Sequence, residues 1–352
     1  MRSNFFLRVA LTLLLAWLAA LLCVWLNTPL PWMIGPLLST ALASILRAPT
    51  ISWTPLRNAG QATIGVALGL YFTPQVTALV LSLWWAIGLG IVWALGLGAL
   101  FSAWLQRLHA HRLPGLNRAT TWFAGAIGAA SEMTLLAERA HGRADLVAAA
   151  HSMRLLIVTV LIPFGMQFSG LHGLDLLAMG TAREVHWDGL MLLGLAAAAG
   201  AWMMQRLDRA NPWFMGALLA AMAFTMAGLE LSALPKILSN AAQLVIGVSL
   251  GVRFTPAFVH TAPRWLASVA IGTLVMVVLC AGFAWVLALA TGLHPATLIL
   301  ATSPGGIAEM SITAKVLQLG APVVTAFQVC RLVAVLLLLE PLYRWRYQRA
   351  GE

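Results

Sequence analysis

Charged residues, and acidic residues above all, are scarce in this sequence. Only 9% of its 352 residues are charged, and Asp and Glu together number 11. A soluble domain carries about 25% charged residues, so this chain has too little charge to cover a globule exposed to water. We therefore expect lipid to be the solvent around most of the protein.

Cysteine is also scarce, and the usual catalytic and metal-binding patterns are missing. Cys23, Cys280 and Cys330 lie far apart in apolar stretches, which fits neither a disulfide framework nor a zinc site. The histidines form no helical HxxxH or HExxH pair, and the chain has no Walker loop, GxSxG motif or Rossmann fingerprint. We therefore expect no metal, no cofactor and no enzyme activity.

Long apolar stretches separated by short polar breaks make up the chain, of which 61% is hydrophobic with a mean hydropathy of +0.88. Alternation typical of strands is absent, which argues against a β-barrel. Since about 20 apolar residues span a bilayer as a helix, the sequence predicts an all-α polytopic membrane protein with about 10–12 membrane segments. The apolar segments fall at about 5–26, 30–46, 58–72, 76–105, 119–137, 145–168, 188–205, 212–229, 237–252, 265–290, 295–314 and 321–343.

Three blocks of the first half recur, in the same order, in the second half. Chance similarity between apolar helices would copy Leu and Ala, but not polar residues in register. We therefore predict a duplication, with residues 1–170 as the first repeat, 171–187 as a linker and 188–352 as the second repeat. The matching blocks are Pro31-Trp32-Met33-Ile34-Gly35 with Pro212-Trp213-Phe214-Met215-Gly216; Asn58, Gln61, Gly65 and Gly69 with Asn240, Gln243, Gly247 and Gly251; and Gly128, Glu132 and Arg154 with Gly305, Glu309 and Arg331.

The basic residues indicate how the repeats are oriented. If both termini are cytoplasmic and each half has an odd number of full spans, only Arg183, Lys236 and Lys315 among the basic residues between spans lie outside. An odd number of spans inverts the second half, and inverted repeats with broken helices are a transporter architecture. This topology also explains the net charge of +10 without nucleic-acid binding. We expect a multi-pass protein of the bacterial inner membrane.

Two glycine-containing stretches inside apolar segments, 125–133 and 303–311, are predicted helix breaks. The second contains Pro304, Gly305 and Gly306, which disfavour a helix interior. Irregular backbone at membrane depth is tolerated where it is buried in protein or lines a watery cavity, and a half-helix that starts there points its amides at that cavity. We therefore predict a substrate or ion site that includes Ser131, Ser303, Gly305 and Gly306.

Glu132 and Glu309 follow these breaks directly, although a carboxylate deep in the membrane costs roughly 2.5–3.5 kcal/mol on insertion scales. The functional interpretation is a proton or cation site. The structural alternative is a Glu–Arg pair with Arg154 or Arg331 that holds helices together. In a third interpretation, the two arginines hold an anionic substrate.

A second polar group lies near the ends of two glycine-rich spans and consists of Gln61, Gln243, Asn58 and Asn240. These residues either line the same cavity or form hydrogen bonds between helices. The GxxxG spacing of Gly65 with Gly69, and of Gly247 with Gly251, predicts close helix packing. His151 lies inside a span, where it either relays protons or simply packs and forms hydrogen bonds.

These motifs resemble the bacterial AbrB-type inner-membrane family. The resemblance rests on PWMIGPLL at 31–38, SEMTLLAER at 131–139 with HSMR at 151–154, and SPGGIAEM at 303–310 with QVCR at 328–331. It covers nearly the whole chain and implies a duplicated membrane domain. The family is labelled both a regulator of gene expression and an ammonia monooxygenase. Its halves and broken helices are similar to those of the cation/proton antiporter and anion transporter group, which is an analogy of fold.

The leading hypothesis is therefore a secondary transporter, driven by a proton or sodium gradient, with a small-molecule or ion substrate. The alternative is a membrane-bound regulator that affects gene expression indirectly by binding a ligand. A monooxygenase is a weaker hypothesis because a copper centre needs clustered histidines. The lipid bilayer is the expected partner, and a homodimer is one oligomeric state that the sequence leaves open.

Overall fold

Helices form every regular element in the described part of this computed structural model. The described ranges are 2–110, 113, 115–169, 184–209, 211–256 and 262–348, without the side chains of residues 2–4. Residues 171–183 of the predicted linker therefore lie outside the described residues. The helices are α1 (Arg2–Trp25), α2 (Pro31–Ile45), α3 (Thr54–Gly69), α4 (Pro74–Ser82), α5 (Trp84–His109), α6 (Arg118–Gly125), α7 (Ala130–Arg139), α8 (Ala144–Phe168), α9 (Trp187–Arg206), α10 (Pro212–Met226), α11 (Lys236–Gly251), α12 (Pro263–Thr291), α13 (Pro295–Thr302), α14 (Ile307–Val316) and α15 (Ala321–Tyr343), followed by a π-helical turn at Arg344–Gln348.

Six helices of the described chain, namely α1, α5, α8, α9, α12 and α15, are long and apolar enough to cross a membrane. Helices α3 and α4 form a seventh candidate span, bent by 88°. Large apolar side chains such as Val278, Trp285 and Leu289 are exposed on α12, where only lipid would solvate them favourably. The prediction of an all-α polytopic membrane protein is confirmed.

The predicted segment 76–105 differs from the structure, which divides it into α4 and α5 at Leu83. Helix α4 starts at Pro74, which cannot donate a backbone hydrogen bond and so suits a helix start. The Thr73 hydroxyl accepts a hydrogen bond from the Val76 amide at 3.3 Å and caps this start. The bend between α3 and α4 therefore has a local cause in the Thr73-Pro74 pair.

The described chain forms two compact units, and each combines segments of both sequence halves. The first contains residues 1–81, 163–260 and 311–322, and the second contains 82–162, 261–310 and 323–352. These units are defined by which residues pack together, whereas the predicted repeats are defined by similarity between the two halves of the sequence. The repeat boundaries at 170 and 188 therefore stay a prediction.

In the first unit, each helix with GxxxG spacing packs on the Pro-Trp helix of the other half. A Cβ atom at Gly65 of α3 would lie 2.5 Å from the Phe214 carbonyl oxygen of α10. The equivalent Cβ atom at Gly247 of α11 would lie 2.5 Å from the Met33 carbonyl oxygen of α2. Only glycine permits this approach of two backbones, so the predicted close packing is confirmed.

In the second unit, α5 and α12 pack through aromatic and polar contacts. The rings of Trp93 and Phe283 stack with centroids 4.6 Å apart and planes 4° apart. Near the other end of α5, the His109 Nε2 atom lies 2.9 Å from the Ser268 hydroxyl. The remaining helices of this unit include α6, α7 and α13, and the unit also contains the first four residues of α14, so both helix interruptions belong to it.

Candidate functional site

Both predicted helix breaks are present at the predicted positions. Helix α6 ends at Gly125 and α7 begins at Ala130, while α13 ends at Thr302 and α14 begins at Ile307. The first residue after each helix is extended, with ψ of 140° at Ala126 and 145° at Ser303. The backbone therefore continues in a similar direction after both helices. An eight-residue helix is only about 12 Å long, which is too short to cross a bilayer core alone.

Arg154 on α8 reaches the first break and is only 3% exposed. Its Nη2 donates to the Ala126 carbonyl oxygen at 2.8 Å and lies 2.6 Å from Nδ1 of His151. The His151 Nε2 lies 2.9 Å from the Phe123 carbonyl oxygen, which can only accept. The network therefore assigns the His151 proton to Nε2, and leaves Nδ1 of a neutral imidazole as the acceptor for Arg154.

Arg331 on α15 holds the second break and is 6% exposed. Its Nη1 donates to the Ser303 carbonyl oxygen at 2.6 Å, and its Nη2 donates to the Gly305 carbonyl oxygen at 2.9 Å. Nη2 also donates to Oε1 of Gln328 at 2.5 Å, while Nε2 of Gln328 donates to the Leu300 carbonyl oxygen at 2.8 Å. The arginine thus satisfies carbonyl groups that the interrupted helix leaves without partners.

The two networks are built from equivalent residues, 177 positions apart in the sequence. The glycines agree as well, since Gly128 lies against the Met133 side chain and Gly305 against that of Met310. The two halves therefore build the same local structure around the two breaks, as expected for a duplicated domain. The equivalent network residues are Phe123 with Leu300, Ala126 with Ser303, His151 with Gln328, and Arg154 with Arg331.

Neither guanidinium group uses all of its N–H groups. Nη1 of Arg154 and Nε of Arg331 are buried and have no hydrogen-bond partner in the described part of the chain. The partners described above for the other N–H groups are neutral, so these hydrogen bonds position the guanidinium groups without cancelling their charge.

The two glutamates occupy equivalent positions but different surroundings. Glu309 lies in the first turn of α14, is 7% exposed, and holds its carboxylate against Gly306, where a Cβ atom would clash with it. Glu132 lies in the first turn of α7 and is half-buried, with no hydrogen bond or ion pair to another described residue. Position 306 matches Ala129 in the predicted alignment of the two halves, so the first break carries a methyl group where the second has none.

Comparison with known proteins identifies the family of this chain. A family model described as "Transition state regulatory protein AbrB" matches residues 32–347. The chain belongs to the AbrB family. It is also similar to "Uncharacterized protein YhjN" of Bacillus subtilis (strain 168), with 23% identity over 346 residues that cover 91% of this chain and 88% of the relative.

The remaining predicted site residues of this AbrB-family protein divide between its two compact units. Ser303 is buried at the second break and its hydroxyl donates to the Ile299 carbonyl oxygen, whereas Ser131 on α7 is exposed. The second polar group lies in the first unit, on α3 and α11, while the arginines and glutamates lie in the second. The predicted site residues of the second unit lie at or next to the two breaks, whereas those of the first unit do not. A role in binding stays a prediction for all of them, including the four residues of the first unit: Asn58, Gln61, Asn240 and Gln243.

The sequence analysis did not identify Gln328 as a site residue, and it did not identify which residues bond to His151. Both side chains precede an arginine by three residues, which places them on the same helix face as that arginine. The paired spacing HxxR at 151–154 and QxxR at 328–331 is the signal that identifies them. In the described residues, no group of three or more His, Cys, Asp or Glu side chains is arranged to hold a metal ion.

Proposed function

We propose that this AbrB-family protein is a secondary transporter that moves a small-molecule or ion substrate, driven by a proton or sodium gradient. The observation that carries the proposal is the repeated arrangement at the two breaks. In each repeat a helix is interrupted, a buried arginine binds its carbonyl groups, and a glutamate follows in the next half-helix. A purely structural membrane helix has no need of such an interruption.

The interruptions suit a binding site because they present backbone groups to a ligand. Broken helices near the membrane midplane are a recurring way to build substrate and ion sites in transporters. A single proline would kink a helix at a lower free-energy cost, because burial of two guanidinium groups carries a large desolvation penalty. Their presence at both breaks supports a functional role for this part of the second unit.

Glu309 is the better candidate for binding the coupling ion. It is the more deeply buried of the two acids, so the gain or loss of a proton or sodium ion changes its environment most. Glu132 is half-buried at the equivalent position and serves in the proposal as a second ion site. The proposal includes a bacterial inner membrane and cytoplasmic termini, in keeping with the positive-inside rule.

A second candidate function is supported by the description of the matching family as regulatory. In that case a ligand binds at the same breaks and alters gene expression indirectly. The two functions differ in one measurable property, because only a transporter moves solute across a membrane that contains the purified protein alone.

The experiment uses full-length protein in proteoliposomes that contain a pH-sensitive fluorophore under an imposed proton gradient, or a sodium-sensitive fluorophore under an imposed sodium gradient. Succinate, glutarate and citrate are supplied outside, singly. We expect at least one of them to drive proton or sodium movement with the unmodified protein, and Glu309→Gln to abolish it. Glu138→Gln, an exposed position on α7, is the matched control and should keep full flux. Unchanged flux in Glu309→Gln would refute the coupling role.

A further inference from the structure

We propose that the coupling ion of this transporter is a proton, because a buried guanidinium group at each helix break already occupies carbonyl oxygens that would otherwise coordinate a sodium ion. The inference rests on the proposed function for the existence of coupling, and it decides between a proton and a sodium gradient. Both breaks belong to the second compact unit, and each makes its own contacts with one arginine.

A sodium ion and a proton require different groups from an interrupted membrane helix. The first half-helix ends with carbonyl oxygens that have no intrahelical donor, and such oxygens coordinate sodium in transporters with broken helices. A sodium ion needs several of these oxygens at once to replace its water shell. A proton needs a single oxygen atom of a carboxylate. The contacts of the carbonyl groups at the breaks therefore distinguish the two ions.

At the second break, the carbonyl oxygens already accept hydrogen bonds from buried side chains. Nη1 and Nη2 of Arg331 donate to the carbonyl oxygens of Ser303 and Gly305 at 2.6 and 2.9 Å. Nε2 of Gln328, on the same helix face, donates to the Leu300 carbonyl oxygen at 2.8 Å. The positive charge of the guanidinium group thus lies where a coordinated sodium ion would place its own charge.

The first break is occupied in the same way. Nη2 of Arg154 donates to the Ala126 carbonyl oxygen at 2.8 Å, and Nε2 of His151 lies 2.9 Å from the Phe123 carbonyl oxygen. A sodium ion at these oxygens would lie beside a fixed positive charge, which repels it. Because both repeats share this arrangement, we infer that neither break is built to coordinate sodium.

Glu309 supplies the oxygen atom that a proton requires. It lies in the first turn of α14 and is 7% exposed, with its carboxylate against Gly306. A carboxylate gains or loses a proton at one of its own oxygen atoms and needs no further ligand. In the proposed cycle Glu309 takes up a proton when the site opens to one side of the membrane and releases it when the site opens to the other.

Other charged or titratable side chains lie on the elements around the second break. They are Arg264 and Cys280 on α12, His294 before α13, Lys315 on α14, and Cys330, Arg331, Glu340 and Tyr343 on α15; the first break, which also packs on α15, adds Glu132, His151 and Arg154. Arginine, lysine, tyrosine and cysteine keep one charge state over most of the pH range of a cell. His294 is exposed and Glu340 pairs with Arg344, which leaves Glu309 as the buried proton acceptor at the second break.

The alternative is a sodium ion that binds beside Glu309 and shares the carbonyl oxygens with Arg331. Each carbonyl oxygen has two lone pairs, so sharing is geometrically allowed. It would, however, hold a sodium ion next to a guanidinium cation in a buried site, where repulsion between like charges is strong. A carboxylate that pairs with a guanidinium group already has its cation as well. Protonation adds no ion to the site and avoids this repulsion.

The first test follows protonation of Glu309 by infrared difference spectroscopy of the full-length protein reconstituted in lipid. The buffer is exchanged between about pH 4 and 9, a range that covers exposed and buried glutamates in proteins. On acidification we expect the C=O stretching band of a carboxylic acid that is shielded from water. Glu309→Gln should lose this band and the exposed control Glu138→Gln should keep it. Absence of the band from the unmodified protein would overturn the proposal.

The second test titrates sodium chloride against potassium and choline chloride at equal ionic strength and measures Tm through the 15 tryptophans. We expect no sodium-specific rise in Tm of the unmodified protein, since a bound ion would stabilise the folded state. Arg331→Gln removes the fixed charge from Ser303 and Gly305, so a saturable sodium-specific rise should appear. Arg331→Lys keeps the charge, and Arg139→Gln is exposed on α7, so neither should show it.

Each result of the second test supports or contradicts the proposal. A sodium-specific rise in Tm of the unmodified protein that is lost in Glu309→Gln would overturn it. A folded Arg331→Gln protein that stays insensitive to sodium would refute the role given to Arg331. If Arg331→Gln does not fold, the infrared band and the sodium response of the unmodified protein still decide the question.

Flux measurements separate this inference from the transporter proposal. With succinate, glutarate or citrate, a proton gradient in sodium-free medium should drive transport, and a sodium gradient at equal pH should not. Flux that requires a sodium gradient would support transport and contradict proton coupling. A Glu309 infrared band without flux of any of the three solutes would support the proton site and contradict transport.

Discussion

The carboxylate of Glu309 lies against Gly306, in the space that a Cβ atom at position 306 would fill. The absence of a side chain at one residue therefore determines where the acid three residues later can rest. At the first break the matching residue is Ala129, and Glu132 is half-buried. The methyl group at this position is one of the differences between the two breaks, and its effect can be tested directly.

Substitution Gly306→Ala should displace the Glu309 carboxylate, since the new Cβ atom would overlap its Oε2 atom. We expect gradient-driven flux to fall as it does in Glu309→Gln, with a loss of stability of about 1–3 kcal/mol from overpacking. Flux in proteoliposomes and Tm in detergent measure the two effects.

Gly305→Ala is the control for this substitution, because its Cβ atom would meet the flexible side chain of Met310 rather than an acid. Its flux should exceed that of Gly306→Ala. Equal flux in the unmodified protein and in Gly306→Ala would show that the position of the Glu309 carboxylate has no part in coupling.

His151 and Gln328 offer a test of the equivalence between the two breaks. Gln328 donates to a carbonyl of α13 and accepts from Arg331, as His151 does with Phe123 and Arg154. We therefore expect the free energy of unfolding of His151→Gln to lie within about 1 kcal/mol of that of the unmodified protein. His151→Leu leaves the carbonyl and the guanidinium group without a partner, which costs about 1–3 kcal/mol for each group.

Denaturation of both His151 variants in the same detergent measures this difference. The glutamine variant should also keep gradient-driven flux, because a side chain that does not titrate already serves in the second repeat. Loss of flux in a stable His151→Gln protein would instead assign a proton-relay role to His151 and would contradict the equivalence drawn above.

The sequence was informative where the cause of a structure is local. Glycine, alone in residues 125–133 and next to proline in residues 303–311, disfavours a helix interior, so both breaks were predictable from the sequence. Helix packing through Gly65 and Gly247 was predictable for a similar reason, because GxxxG spacing places small residues on one helix face. The interruption at Leu83 has no such signal in the residues around it.

The partners of the arginines were not predictable, because they are mostly backbone carbonyls. A carbonyl group is present at every residue and leaves no mark in the sequence. A glutamate and an arginine in neighbouring segments suggest an ion pair. No sequence pattern indicates that Arg154 donates a hydrogen bond to the Ala126 carbonyl oxygen. The interleaving of both halves in each compact unit likewise follows from long-range packing and not from a local pattern.

The glycines that face a neighbouring helix should be far more sensitive than those that face open space. A Cβ atom at Gly69 would lie 2.6 Å from the Leu218 carbonyl oxygen, and one at Gly251 would lie 2.6 Å from that of Leu37. We expect Gly69→Ala and Gly251→Ala to lose about 1–3 kcal/mol each, because the packed backbones must separate.

Gly96→Ala on α5 is the control, since no atom lies within 4 Å of the position of its new Cβ atom. This substitution should leave Tm unchanged or raise it slightly through helix propensity. Equal Tm values for all three alanine variants, measured by tryptophan fluorescence in one detergent, would contradict the packing of α3 on α10 and of α11 on α2.

The most direct test of the account is accumulation of a labelled solute in proteoliposomes under an imposed proton or sodium gradient. The solutes are succinate, glutarate and citrate, tested singly, and the variants are Glu309→Gln and Glu138→Gln. The account predicts that the unmodified protein and Glu138→Gln accumulate the label against its gradient, while Glu309→Gln does not. Equal accumulation in Glu309→Gln would contradict it.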